Sequence, residues 1–501
     1  MKPSPLLLAL AACSSASAAA PTMGSPPVSG TVIPVLEHHA GPRRVGAYIV
    51  PGLSRAVAAG VHLDAAFAAA LPGAIYAKPL LVPGAKGGRD LLLAATERNA
   101  VGAFDPATGE AVWTRALGAP VPRSSLPCGN IDPLGVTGTP IVDPATRLMY
   151  LDAMTTPDGG ATKRHLLFAL RVDDGLVEPG WPIDVAAALA GEGMTFEPSV
   201  QNQRGALALQ GGWLYVPYGG HYGDCGDYRG WLVSVKVAGP GQVSAWHTKA
   251  RGGGSWGPSG VASDGSRVFL ATGNTFAATS WAGGEAVLAF PWGEPPGSAP
   301  ADWFAPADWS ALDAADLDLG GSGPVLVDLE GATPAALAVA LGKDGKLYLL
   351  DRNHLGGKGG ALWVKEVSKG AIINATAAYT TSSGSYVVFR GRGVGCPTGG
   401  GDLTAVRLLP GSPPRAEVAW CARAPGRGSP IATTTDGKSE AMVWVVGAEG
   451  DGRLRAFDGD TGAPLLEGAA AGGTVRRFQS PIVSGRRIYV AVDGGLRAFL
   501  M

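Results

Sequence analysis

The stretch Val101-Gly-Ala-Phe-Asp-Pro-Ala-Thr-Gly-Glu-Ala-Val-Trp113 contains a strand ending at Asp105, a Thr108-Gly109 reversal and a second strand leaving through Val112-Trp113. A reversal of this kind needs a glycine to adopt positive φ, and an aspartate that can bond its own backbone stabilises it. The same arrangement returns near the end of the chain. There Leu454-Arg-Ala-Phe-Asp458 is followed by Thr461-Gly462 and Leu465-Leu466. Two copies of one hairpin so far apart indicate a repeat.

Weaker copies fill the interval. His165-Leu-Leu-Phe-Ala-Leu-Arg-Val-Asp173 precedes Gly175, and Trp231-Leu-Val-Ser-Val-Lys-Val237 and Ala286-Val-Leu-Ala-Phe290 follow. Leu347-Tyr-Leu-Leu-Asp351, Leu403-Thr-Ala-Val-Arg-Leu408 and Leu496-Arg-Ala-Phe-Leu500 complete the series. The spacing is roughly 40–60 residues, a propeller period. It predicts an all-β chain folded as an eight-bladed β-propeller, with seven blades as the alternative. A β-sandwich pair would lack this recurrence, and a parallel β-helix would repeat at shorter intervals. The last unit stops after its third strand, so a segment near the N-terminus, Val45 to Val50, is expected to supply the outer strand and close the ring. The Ala-rich stretch Ser54 to Leu71 reads as one surface helix.

Composition agrees with this class. The 76 Gly and 40 Pro are spread evenly among short apolar runs, and 46% of the 501 residues are hydrophobic. Forty Lys+Arg against 41 Asp+Glu, with no long basic run, leaves no phosphate-neutralising surface, which argues against nucleic-acid binding. Beyond the N-terminus nothing approaches the ~20 apolar residues of a membrane-spanning helix.

Residues 1–20 read as an export signal: Lys2 is the only charge, Leu6 to Ala12 form a short apolar core, and small residues follow. Leu10-Ala11-Ala12-Cys13 resembles a bacterial lipobox, which makes Cys13 the lipidation site; cleavage after Ala16-Ser17-Ala18 is the alternative. Residues 21–40 are expected to be a flexible segment and 41–501 a single propeller closed by an N-terminal strand. The expected location is the periplasm or outer cell envelope, with membrane contact only through the lipid, and the expected state is a monomer. In an oxidising compartment the remaining cysteines, Cys128, Cys225, Cys396 and Cys421, suggest two disulfides among three possible connectivities. Cys396 and Cys421 share one repeat, which leaves Cys128 for Cys225. There is no C-x-x-C-H haem motif and no C-x-x-C zinc pair.

Val101 to Trp113 resembles the repeat of the pyrroloquinoline quinone (PQQ) propeller superfamily, in which the Trp docks neighbouring blades. Ile75-Tyr-Ala-Lys-Pro79, Gly135-Val-Thr-Gly-Thr-Pro140, Gln203-Arg-Gly-Ala-Leu207 and Thr272-Gly-Asn274 are similar to segments of secreted PQQ-type propellers whose function that likeness leaves open. Set beside PQQ alcohol dehydrogenases, Ser255-Trp256-Gly257 resembles the Trp floor of the cofactor site, and Asn274 resembles a Ca²⁺ ligand. Asp316-Leu-Asp318 resembles the segment bearing the base, with Asp316 as the base. Lys343, ahead of Tyr348-Leu-Leu-Asp-Arg352, resembles the quinone-contacting lysine, and Arg352 is a further candidate contact. The chemistry is coherent: a planar quinone wants an aromatic face, and a hard cation wants oxygen ligands.

Two positions depart from that pattern. Where the dehydrogenases cap the cofactor with adjacent cysteines, this chain has Pro127-Cys128-Gly129. Where their calcium-binding Glu stands, it has Gly223-Asp224-Cys225-Gly226-Asp227, so that Asp224 or Asp227 would have to replace it. A Cys128–Cys225 bridge across the funnel would occupy or narrow the cofactor volume.

Bland roles stand beside each of these. Trp256 can be blade packing, Asn274 can bond its own turn, Asp316 and Asp318 can cap a loop, and Lys343 can belong to an exposed hairpin. His38-His39 lacks a metal partner at a useful spacing. His221-Tyr-Gly-Asp-Cys-Gly-Asp-Tyr228 is either a ligand site or a disulfide-pinned loop. Three functions follow as expectations. The first is an exported envelope propeller that binds a small molecule or an envelope protein without catalysis. The second is a PQQ- and Ca²⁺-dependent alcohol or sugar dehydrogenase passing electrons to a separate acceptor. The third is a protein-assembly scaffold of the envelope.

Overall fold

A computed structural model describes Met1, Val28 and residues 30–84 and 88–501 of the chain. The export signal and Cys13 lie outside the described residues. Eight antiparallel sheets follow one another along the chain as blades 1 to 8: residues 80–116, 141–184, 201–247, 262–305, 325–366, 377–422, 431–470 and 482–500. Each of the eight hairpin strands read from the sequence is the third strand of its blade. First strands of neighbouring blades approach one another, so they line the axis and the fourth strands face outward.

The Asp–Thr–Gly turns close as their chemistry predicts. Asp105 Oδ1 accepts from the N–H groups of Ala107 (2.8 Å) and Thr108 (3.0 Å), and Gly109 sits at φ +79°. Asp458 Oδ1 accepts from Asp460 and Thr461 (both 2.9 Å), and Gly462 sits at φ +73°. The neighbouring blade rests on such a turn. Trp113 of blade 1 donates from Nε1 to Val172 O of blade 2 (2.8 Å) and lies over Gly175; Trp420 of blade 6 donates to Gly459 O (2.9 Å) and lies over Gly462.

The ring is closed by a different N-terminal segment from the one expected. His62–Leu63 and Ala69–Ala70 pair antiparallel with Gly495–Leu500 as the outer strand of blade 8. Ser54 to Leu71 is therefore not one helix. Only Arg55–Ala58 is helical, because Val61, Phe67 and Leu71 bury themselves against blade 8 and the rest of the stretch must extend to pair.

Val45 to Val50 lies inside the ring. The innermost strands present an unpaired edge toward the axis, and the N-terminal segment bonds to it. Ile33 N–H donates to Ser484 Oγ of blade 8 (2.7 Å), and Val35 exchanges two hydrogen bonds with Leu81 of blade 1 (2.8 Å each). Leu36 O accepts from Val142 of blade 2 (2.8 Å), and Arg44 Nη2 donates to Leu207 O of blade 3 (2.7 Å). Pro42, Arg43 and Val45 accept from Ser263, Leu326 and Ala378 of blades 4, 5 and 6. Ala47–Ile49 then runs parallel to Ile431–Thr434 of blade 7. One segment thus reaches every blade in ring order. Residues 30–40, expected to be flexible, include Val35, His38 and His39, all buried.

A buried polar triad ties blades 2 and 3. Asp152 Oδ1 lies 2.7 Å from His165 Nδ1, Asp152 Oδ2 accepts from Tyr218 OH (2.8 Å), and His165 Nε2 lies 3.1 Å from Gln201 O. Both ring nitrogens face acceptors, so the imidazolium satisfies both. Burial opposes that charge, but Asp152 and the carbonyl outweigh it and raise the His165 pKa above its ordinary value.

Three outcomes are expected. Trp420→Ala should cost about 3–5 kcal/mol, as truncation of a buried aromatic does. Gly462→Ala should cost at least ~1–2 kcal/mol for the left-handed backbone alone, and its Cβ would also meet the Trp420 ring at 2.5 Å; urea unfolding measures both. Because the folded pKa of His165 exceeds the unfolded value of about 6.5, its stabilisation is complete below that pH and is lost as pH rises through the folded value. Urea midpoints followed from pH 6 upward should show this fall in the wild type and not in Asp152→Asn.

Candidate functional site

In each blade the second-to-third and fourth-to-first connections emerge at one end of the ring, and the other two turns at the opposite end. Trp256 and Asp316-Leu-Asp318 precede the first strands of blades 4 and 5, while Asp224 and Lys343 follow the second strands of blades 3 and 5. Distant loops therefore meet at one mouth. They enclose a cavity of about 380 Å³, whose lining includes Trp256, Asp316, Asp318, Lys343 and Asp224, joined by Arg204, Arg477 and Phe478. That volume lies within the range of small-molecule pockets.

Asp318 organises one wall. It is buried, and its Oδ1 accepts from Asn274 N–H (2.7 Å). Its Oδ2 accepts from Trp256 Nε1 (3.2 Å) and lies 2.6 Å from Lys343 Nζ. Asp316, at the left-handed C-cap of the short helix Trp309–Ala315, approaches the same ammonium at 2.7 Å but is exposed. Burial pushes the Asp318 carboxyl up against the pull of Lys343 and the Asn274 N–H. Burial likewise works against the Lys343 charge, yet the two aspartates outweigh it and hold its pKa above the ordinary value. Of the two acids in the segment, Asp318 is the buried one. Lys343 Nζ also stands 5.4 Å from the Trp256 ring centre, so the hairpin lysine, the floor Trp and both acids form one unit.

Asn274 contributes through its backbone. Besides its N–H, its carbonyl accepts from Gly253 N (2.6 Å), and it is not among the residues lining the cavity. Arg352 is elsewhere. It lies in the turn between the third and fourth strands of blade 5, at the opposite end of the ring, held by Asp328 (2.7 Å) and Asp264 (3.5 Å). A residue after a third strand cannot reach a mouth built by the loops after second strands.

The opposite wall carries the disulfide. Cys128 and Cys225 are bonded with Cα atoms 6.0 Å apart, and Cys396 is bonded to Cys421. The first bridge joins loops of blades 2 and 3 but does not fill the funnel. Its neighbours Asn130, Tyr222, Gly223 and Asp224 line the cavity that remains. Asp224 Oδ1 accepts from Tyr228 OH (2.7 Å). His221, also on this wall, has its pKa lowered to about 4 by burial, with His165 adding to the effect, and its Nε2 lies 3.1 Å from Ser199 O.

These donors do not fit a calcium site. Calcium takes six to eight oxygen ligands. Here the Asp318 oxygens face three N–H donors, an ammonium stands between the two acids, and Asp224 is engaged by Tyr228. Among the described residues no three His, Cys, Asp or Glu side chains are grouped to hold a metal ion.

The part of the cavity around Arg204 was not singled out from the sequence. Arg204 sits where the first strand of blade 3 is interrupted, between Gln201–Asn202 and Ala208–Gln210. Its guanidinium carbon lies 4.9 Å from the Phe478 ring centre and 5.6 Å from that of Tyr76. Among the described residues it has no hydrogen-bond or ion-pair partner, and its Nη2 is fully buried. Arg477 beside it is paired with Glu449 at 2.7 Å. Tyr76 and Arg204 fall in quoted segments, but nothing local distinguishes an axial arginine from a surface one.

With the ring and funnel placed, solved structures supply the comparison. Quinohemoprotein alcohol dehydrogenase ADHIIG of Pseudomonas putida HK5 superposes with a TM-score of 0.64 at 14% identity, over 93% of this chain and 77% of that one. The fold is that of the quinoprotein dehydrogenase propellers. The quinohemoprotein alcohol dehydrogenase of Comamonas testosteroni gives 0.62 at 15%, over 96% and 81%, and BamB of Moraxella catarrhalis gives 0.51 at 14%, over 88% and 100%. No protein-family model and no curated protein matches the sequence. At these identities the likeness is one of fold.

The Asp318 unit makes a contrast testable. Asp318→Asn should destabilise by about 2–4 kcal/mol because it weakens the hold on a partly buried ammonium. Asp316→Asn, at the exposed partner, should cost under about 1 kcal/mol. Urea unfolding of both variants checks the order.

Proposed function

We propose that the protein is an exported cell-envelope propeller whose funnel binds a small, planar, carboxylated molecule without turning it over. The observation that carries this reading is Arg204. A largely buried guanidinium held between two aromatic rings, with no carboxylate of its own, is arranged to receive one from a ligand. Trp256, Tyr228 and Phe478 add aromatic surface to the same cavity. Binding without turnover is favoured because Asp316, in the place of the base, is tied to Lys343, and because the donors at the expected metal position are engaged by Lys343, Trp256 and Tyr228. Two disulfides suit an oxidising compartment. A lipid at Cys13, which lies outside the described residues, is the proposed membrane anchor.

The alternative, a PQQ- and Ca²⁺-dependent alcohol or sugar dehydrogenase, is favoured by the convergence of Trp256, Lys343, Asp316 and Asp318 on one cavity. One titration separates the two. PQQ, itself a planar polycarboxylate, is added to purified protein with and without calcium while melting temperature, quinone absorbance and alcohol-dependent dye reduction are followed. Ligand binding to the native state raises the melting temperature by mass action. The proposal expects a saturable, calcium-independent shift, at least tenfold weaker in Arg204→Met, and no dye reduction. Calcium-dependent binding with dye reduction would establish the dehydrogenase instead, and no shift with PQQ or simple aromatic carboxylates would sink ligand binding in the funnel.

A further inference from the structure

Beneath the funnel, between its floor and the N-terminal segment inside the ring, lies a second cavity of about 20 Å³. It is lined by His38, Lys78, Thr137, Thr139 and Arg204, with Tyr76, Pro258, Arg477 and Phe478 completing the walls. That space admits about one water-sized species.

The polar atoms around it are in want of an acceptor. Lys78 and His38 are each 3% exposed, and Lys78 Nζ and His38 Nδ1 are buried with no hydrogen-bond partner. Thr139 Oγ1 accepts from the Lys78 backbone N–H (3.0 Å), which leaves its own hydrogen to be donated. Lys78 Nζ lies 5.7 Å from the Tyr48 ring centre, and neither it nor Arg204 has a carboxylate within 4 Å among the described residues. Among the described residues the acids nearby form no ion pair with either cation. Glu37 holds Arg44 at 2.7 Å, Glu449 holds Arg477 at 2.7 Å, and Glu97 accepts from Gly135 N–H at 2.8 Å while burial pushes its pKa up to about 8. Lys78 and Arg204 on the axis therefore lack counter-charge; burial, with Arg44 adding to it, pushes the Lys78 pKa well below its ordinary value, and an uncompensated buried charge costs several kcal/mol.

We infer that this axial cavity binds a single small monovalent anion of the halide class, held by Lys78, Thr137 and Thr139 with Arg204 at its upper wall. A halide accepts from several donors at once, needs no particular geometry and is close to water in size. It would answer Lys78 from inside the ring and add negative charge under Arg204. Arg204, Arg477 and Phe478 line both cavities, so the anion's entrance is through the funnel floor. The site does not depend on what the funnel itself binds.

The test uses the full-length protein in sodium gluconate, titrated with sodium chloride or bromide at constant ionic strength. A saturable rise in melting temperature of roughly 2–4 °C with either halide, absent with further gluconate, is expected. Lys78→Met should remove this response while PQQ still binds in the funnel, because Lys78 does not line the larger cavity. Thr137→Val, a milder change, should move the half-saturating halide concentration several-fold higher, and it keeps the question answerable should the lysine variant fail to fold. A bromide-soaked crystal should show an anomalous peak among Lys78 Nζ, Thr137 Oγ1 and Thr139 Oγ1. Equal responses to chloride and gluconate, or a peak-free cavity in saturating bromide, would overturn the inference and leave the space to water.

Discussion

Blade 8 has three strands of its own, and its fourth comes from residues 62–70, more than four hundred positions earlier. This pairing joins the two ends of the chain, and the remaining placements depend on it. The entropy of closing so long a loop grows only with the logarithm of its length, while an open ring would expose sheet edges at both ends. At the seam no Trp is needed. Ala68 N–H donates to Thr108 O (3.0 Å), Tyr489 OH donates to Pro106 O (2.8 Å), and Gly109 leaves room for the Ala68 backbone. Tyr76 ahead of blade 1, Arg204 of blade 3 and Phe478 ahead of blade 8 can share one cation–aromatic stack only in a closed ring.

Closure creates an axis, and the axis sets the electrostatics. The whole chain is almost neutral, at −1, but its interior is not evenly balanced. Three acids along the funnel and the ring interior each hold a cation: Glu37 for Arg44, Glu449 for Arg477 and Asp318 for Lys343. Arg204 and Lys78 are left over. Lys78 lies where the N-terminal segment has replaced an open channel by a floor, so water cannot solvate it as it would in a through-going pore, and Arg204 meets solvent only from the funnel side. The residual positive character of the two stacked cavities is thus a product of how the channel is filled.

Much of the fold was legible because a period-two strand and an Asp–Thr–Gly turn are local signals. All eight hairpin strands, from Val101 to Leu500, lie where their alternation and turn residues put them. The pairing of Cys128 with Cys225 followed from repeat membership, and the grouping of Trp256, Asp316, Asp318 and Lys343 followed from likeness to an older pattern. Arg352 was misplaced for a reason of topology: it is nine residues from Lys343 in sequence, but one strand intervenes and carries it to the other end of the blade. Val45 to Val50 was misplaced because an apolar strand fits an inner edge as well as an outer one. Only one face of it, with Tyr48 and Val50, is buried in the channel, while Ile49 on the other face stays exposed.

By itself the sequence determined the repeat and the class of turn, since these depend on residues within a few positions of one another, while the choice of eight blades over seven came from the eight sheets of the ring. Only the tertiary structure decided which segment closes the ring, which fills the channel, and which charges are left without partners. Those outcomes depend on distances between side chains hundreds of residues apart, and no local propensity encodes them.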